Sequence, residues 1–171
     1  CTPDAESISI SVGYDAPNTC YDMSTLSGSF TNGANGTTAW TAAATSTPST
    51  GTGPTNDADG GSGFYYTEAT GNPTTVHDMS LIVDFSSTAN PLLSFDYNMF
   101  GSGMGTLDVL VDGVSVWSLS GDQGDSWQSA NIALSSSSVS TIIFRGTTSA
   151  DFTSDIAIDN ICNKVFNLDK L

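Results

Sequence analysis

The chain has 171 residues, the size of one ordinary domain at ~100–200 residues each, and only 12% of them are charged. Three basic residues stand against 18 acids, a net charge of −15, so Arg145, Lys164 and Lys170 form no basic patch able to neutralise a row of phosphates or grip an anionic membrane; nucleic-acid binding is excluded. Gly, Ser, Thr, Asn and Asp fill most of the space left by the 38% apolar residues, which predicts a turn-rich all-β chain without long amphipathic helices.

Along the chain, Cys1 opens a segment with no cleavable leader, and no apolar run reaches the ~18–20 residues of a spanning helix, so a mature or excised soluble segment without membrane insertion is expected. Ser7 to Val12 reads SISISV, the period of two of a half-buried lead-in strand. Gly28 to Gly63 is Thr, Ser, Gly, Ala, Asn and Pro broken by Phe30 and Trp40, which predicts long surface loops pinned by those two rings. Strand-length apolar blocks follow: Gly63 to Ala69, Val76 to Phe85, Leu92 to Phe100, and Thr106 to Leu119 interrupted by Asp112-Gly113. Asp-Gly accepts the positive φ angles of a two-residue turn, so this last block is a β-hairpin. Trp127 to Leu134, Val139 to Gly146 and Asp155 to Ile161 complete the set. Short strands divided by turn signals predict a sandwich or jelly roll rather than a βαβ fold, and no internal repeat is present.

Little in the chain supports catalysis. His77 is the single histidine, and Asp78 beside it points to the opposite strand face, so no Ser/His/Asp triad is drawn and His77 reads as structural. The acids are Asp apart from Glu6 and Glu68, which leaves too many Asp residues for any one pair to be singled out as a glycosidase couple. Asp is instead at home in turns and in oxygen-ligand calcium loops. Asn56 to Gly60, NDADG, opens like such a loop without the full EF-hand pattern, and a solvated turn is the equal alternative. A second acidic group is Asp151, Asp155 and Asp159, the last two on one strand face by even spacing. Trp40, Trp117, Trp127, Tyr65, Tyr66, Tyr97 and Phe100 offer either a sugar-stacking platform or ordinary core. The Asn35-Gly36-Thr37 acceptor pattern matters only in a eukaryotic secretory host. Cys1, Cys20 and Cys162 show no CxxC spacing, which disfavours zinc and points to one disulfide in an oxidising compartment with one cysteine left over.

Five ordered blocks carry a family resemblance: GTGPTNDADGGSGFYYTEA, LSFDYNMFGSGMGTLDVLV, VWSLSGDQGDSWQSANIAL, IIFRGT and DIAIDNI. They resemble the MAM domain, the extracellular module of meprins, neuropilins and receptor-type tyrosine phosphatases that also occurs in bacterial secreted proteins, the type expected here. The resemblance implies an all-β antiparallel β-sandwich of jelly-roll type, secreted or at the cell surface, serving adhesion, oligomerisation or recruitment and not catalysis. Its implied limits are a lead-in over residues 1–19, the sandwich over 20–163 and a tail over 164–171. The aromatic positions then become scaffold. A cation, calcium or sodium, is implied between Asp57 and Asp159, with Asp155 and Asp59 as neighbours.

Animal members carry four cysteines, whereas this chain has Ala89-Asn90-Pro91 where one would precede the LSFDY block. Within the resemblance, Cys20 with Cys162 brackets the matching region, and Cys1 with Cys20 is the competing pairing. Cys1 is then free, bridged to an upstream partner or lipid-modified. The implied partner is a protein or polysaccharide outside the cell, together with other domains of the same parent chain. The alternative function is a carbohydrate-binding module of a polysaccharide-degrading enzyme, which an exposed Tyr14, Tyr21 or Phe152 beside a groove would favour. A hydrolase in its own right is the third reading and needs an Asp pair in a cleft.

Overall fold

A computed structural model describes residues 18–61, 63–135 and 138–165. The SISISV segment, Cys1, Tyr14 and most of the expected tail lie outside them. Within them the strands are β1 (Thr19–Tyr21), β2 (Phe30–Asn32), β3 (Thr41–Ala43), β4 (Phe64–Tyr66), β5 (Val76–Asp84), β6 (Pro91–Asn98), β7 (Thr106–Val111), β8 (Val114–Ser120), β9 (Gln128–Ala133), β10 (Val139–Thr147) and β11 (Ala157–Val165). One sheet runs β2-β5-β10-β7-β8; the other runs β3-β4-β11-β6-β9, with β1 added along β11. Every strand pairing is antiparallel, and the two sheets stack as a β-sandwich of jelly-roll type.

The alternation read from sequence decides which side chains face inward. Met79, Leu81 and Val83 of β5, Ile142 and Phe144 of β10, and Leu93 and Phe95 of β6 meet between the sheets, none more than 1% exposed. Phe144 packs edge-on against Phe95 with centroids 5.2 Å apart. Each such side chain stabilises the fold by about 1.5–3 kcal/mol on burial. The Asp112-Gly113 turn joins β7 and β8 with φ of +51° and +82°, as the hairpin reading requires.

The Gly28 to Gly63 region differs from the expectation of loops alone, because it contributes β2 and β3. Three residues such as Phe-Thr-Asn or Thr-Ala-Ala show no period, and only the backbone partners, β5 for β2 and β4 for β3, make them strands. Phe30 and Trp40 are buried as anchors, and the Trp40 Nε1–H donates to the His77 carbonyl at 3.0 Å. His77 is itself buried, its Nδ1–H donating to the Ala39 carbonyl at 3.0 Å, and burial holds its pKa below the usual value.

Residues 44–61 then cross the outer face of the six-stranded sheet. There Phe64, Tyr66 and Ala157 make a second, smaller apolar cluster closed by Ala43 and Trp127. This covering segment is tied down at spaced points. The Gly53 N–H donates to the Phe100 carbonyl at 2.9 Å, the Asp155 N–H to Thr52 Oγ1 at 2.9 Å, and Trp127 Nε1–H to the Asn56 carbonyl at 2.8 Å. A Cβ on Gly101 would lie 2.3 Å from the Thr153 carbonyl oxygen, so only glycine lets the turn after β6 pack this closely on the 149–155 segment.

Candidate metal centre

The covering segment brings Asp57 and Asp59 onto Asp159 of β11, with one carboxylate oxygen from each all lying within 4.8 Å of one another. Asp57 is held by backbone: its Oδ1 accepts the N–H groups of Asp59 (3.1 Å) and Gly61 (2.8 Å), and its Oδ2 that of Gly63 (2.7 Å). Gly63 sits where a Cβ would lie 2.9 Å from the Ala43 carbonyl oxygen, so glycine there keeps its N–H on Asp57. Asp159 accepts from Asn160 N–H at 2.7 Å and from Ala58 N–H at 3.3 Å. Asp57 and Asp159 are buried and Asp59 is exposed, so the cluster has one open side.

The electrostatics are those of an anionic pocket. Burial pushes the Asp159 carboxyl up to about 7, and the charges of Asp57 and Asp59 add to that, against the opposing N–H groups of Asn160 and Ala58. Burial also pushes Asp57 up, but its Gly63, Asp59 and Gly61 contacts outweigh it and leave the carboxyl below the usual range. The ion pair found among the described residues commits Arg145 to Asp78 instead. Three hard carboxylates, two buried and one open to solvent, suit calcium or sodium and not zinc.

Asp155 is not brought into this cluster. It lies two residues before β11, and four residues of extended chain span ~13 Å, too far from Asp159 for one cation. Residues that sequence reasoning passed over complete the surroundings. Asp96 lies opposite Asp159 in register and accepts from Ser129 Oγ and, at 2.9 Å, from Asn160 Nδ2. Trp127 clamps the loop through Asn56. Trp127→Phe, which keeps an aromatic ring against Phe64 but removes the pyrrole with its N–H, is expected to cost at least about 1 kcal/mol in urea denaturation. An equal midpoint in wild type and variant would show that the clamp does nothing.

The aromatic residues form core rather than a platform. Trp40, Tyr65, Tyr66 and Tyr97 are buried, Trp117 packs on Phe95 and Tyr97, and Trp127 packs on Phe64. Tyr21 is half-buried, edge-on to Phe30 at 4.9 Å, and lines a groove with Cys20, Asp22, Asp59, Asn160 and Cys162. Phe152, 54% exposed, is the exposed ring among the described residues. Cys20 and Cys162 lie directly opposite each other in the β1/β11 pairing and are disulfide-bonded, with Cα atoms 4.0 Å apart.

The model of the family described as MAM domain, meprin/A5/mu matches residues 19–165. The human MAM domain-containing glycosylphosphatidylinositol anchor protein 1 is 34% identical over 124 residues, 66% of this chain and 13% of that protein. Neuropilin-1a of Danio rerio is 34% identical over 133 residues, 71% of this chain and 14% of its own length. The chain thus spans about one seventh of these relatives. Among solved structures, a cleaved adhesin domain of Lys-gingipain from Porphyromonas gingivalis superposes with a TM-score of 0.59 at 12% identity, covering 88% of this chain and 99% of that one. A family 43 glycoside hydrolase from Bacillus subtilis, an arabinoxylan arabinofuranohydrolase, gives 0.54 at 12% identity, covering 91% of this chain and 28% of the enzyme. At such identities these two likenesses speak to the fold alone.

Proposed function

This chain belongs to the MAM domain family, and from that premise we propose that it serves as a non-catalytic recognition module of a larger secreted or cell-surface protein, with calcium held by Asp57, Asp59 and Asp159. The observation that carries the calcium assignment is the buried carboxylate pair beside an open third carboxylate, with no basic side chain joined to them among the described residues. The bound cation would supply the positive charge that this pocket lacks. The chain's own part is to position the oxygens: the backbone N–H groups of residues 59, 61 and 63 orient Asp57, and Ala58 N–H ties the loop to β11 through Asp159. Calcium therefore orders the covering segment and, with it, the surface beside the groove.

The ligand is taken to be a protein. Stacking on sugar rings needs flat exposed faces; Trp40 is buried, Trp117 and Trp127 are half-buried against the core and the outer cluster, and among the described residues Phe152 is the exposed ring.

The test is thermal unfolding with calcium or with chelator at moderate ionic strength. A site filled at about 100 times its Kd adds about 2.7 kcal/mol, worth roughly 5–10 °C in a domain of this size. Equal melting points in the two buffers would refute the calcium assignment. The sign of the pH dependence is fixed by Asp159, whose carboxyl rises from 3.8 to about 7 on folding. Between those values the metal-free folded state holds a proton that the unfolded chain has released, so this group favours folding most below about pH 4 and the benefit is lost as pH rises to about 7. Calcium takes the proton's place. Its stabilising increment is expected to be small at pH 5 and complete above pH 7, with proton release on binding at pH 6 visible by calorimetry in buffers of different ionisation enthalpy.

A further inference from the structure

Asp155 stands apart from the metal centre, under the other half of the covering segment. Its carboxylate is wholly buried; Oδ1 accepts the Ala69 N–H at 3.0 Å, while Oδ2 has no hydrogen-bond partner. The register that pairs Ala157 with Tyr66, continued by the Thr67 N–H donating to the Ile156 carbonyl, brings Glu68 opposite Asp155. Glu68 is half-buried, and its Oε2 accepts the Tyr66 hydroxyl at 3.1 Å. Above them the Thr47 hydroxyl donates to the Thr52 carbonyl at 2.9 Å and lies close enough to Asp155 to oppose the upward push on its carboxyl. A buried carboxylate oxygen faced by a second carboxylate and a hydroxyl oxygen is missing a positive charge.

We propose that Asp155 and Glu68 hold a second cation beneath residues 44–53, a site separate from the Asp57, Asp59 and Asp159 centre. The donors are two carboxylates and a threonine hydroxyl, all hard oxygens, the chemistry of calcium. Without the cation, burial and the Glu68 charge hold the Asp155 carboxyl up to about 6, which marks how poorly this position tolerates an unpaired anion. The two sites would fasten the covering segment at both ends, one at residues 57–59 and one under Thr47 and Thr52.

The test is calorimetric titration of the metal-free whole chain with calcium. Two equivalents are expected for the wild type, with one lost in Asp155→Asn and the other lost in Asp159→Asn. Glu68→Gln, a surface-accessible change, is expected to weaken the same equivalent that Asp155→Asn removes by at least tenfold, and it serves if the buried substitution fails to fold. A single equivalent that disappears in Asp159→Asn and persists in Asp155→Asn would overturn the second site and leave the first standing. The converse pattern would support the second site and remove the first. Carboxyl carbon NMR of the wild type in saturating calcium gives an independent readout: an Asp155 that does not titrate near pH 6 supports the cation, and one that takes up a proton there shows that a proton fills the position instead.

Discussion

Replacing both Cys20 and Cys162 with serine lowers the melting temperature by roughly 10 °C, and reduction of the native chain does the same. The bridge closes a loop of 142 residues, for which the chain-entropy argument allows about 5 kcal/mol and measured losses of native disulfides run at about 2–5 kcal/mol. In a domain of this length each kcal/mol moves the melting point by about 2–4 °C. The effect is large because β1 has only three residues and, among the described strands, pairs with β11 alone. The double variant is the right one, since changing Cys20 alone leaves the buried Cys162 as a free thiol. Scanning calorimetry with and without reductant, with thiols counted by mass, is the check. A fully reduced chain that melts where the oxidised one does would show that the bridge is idle.

Arg145→Met is expected to cost about 3 kcal/mol. The guanidinium grips Asp78 with two parallel bonds, Nε to Oδ1 and Nη2 to Oδ2, both 2.8 Å. Asp78 is fully buried on its side of the pair, and among the described residues it would keep a 3.3 Å bond from Asn35 Nδ2 without Arg145. Breaking such a pair from one side costs about 3–5 kcal/mol, and the lower end applies because Arg145 is itself one-third exposed. The guanidinium also lies opposite Asp108 on β7, so its loss leaves two carboxylates across one strand from each other. Removing both partners, in Asp78→Asn with Arg145→Met, should recover at least 1 kcal/mol of the single loss. A double variant no more stable than Arg145→Met would mean that packing and not the stranded charge sets the cost.

The sheets were legible because their strands announce themselves. Alternation in β5 and β10 and the Asp112-Gly113 turn each follow from local stereochemistry, and tertiary structure had only to agree with them. β2 and β3 were not legible, since three residues carry no period and their identity as strands comes from partners far along the chain. The candidate site divides along the same line. Asp57 and Asp159 came from the family resemblance, and the fold brings their carboxylates together with that of Asp59. Parity placed Asp155 and Asp159 on one face but is silent about distance along the strand and about what lies overhead. The covering segment, which encloses Asp155 beneath Thr52 and Asp159 beneath Ala58, looked from its composition like loose loop. Trp127 gave no sign of its role because its partner, the Asn56 carbonyl, is backbone, and backbone carries no residue code.

The crossing of β1 and β11 at Cys20 and Cys162 also decides how the domain carries mechanical load. Tension arriving at Asn18 and at Val165 meets a covalent link after a few residues on either side and passes straight through the sulfur atoms. The residues between the cysteines lie off the load path. Under tension applied at those two ends the sandwich, its Asp57 loop and its groove would keep their shape, and only under reducing conditions would the fold itself begin to pay out chain.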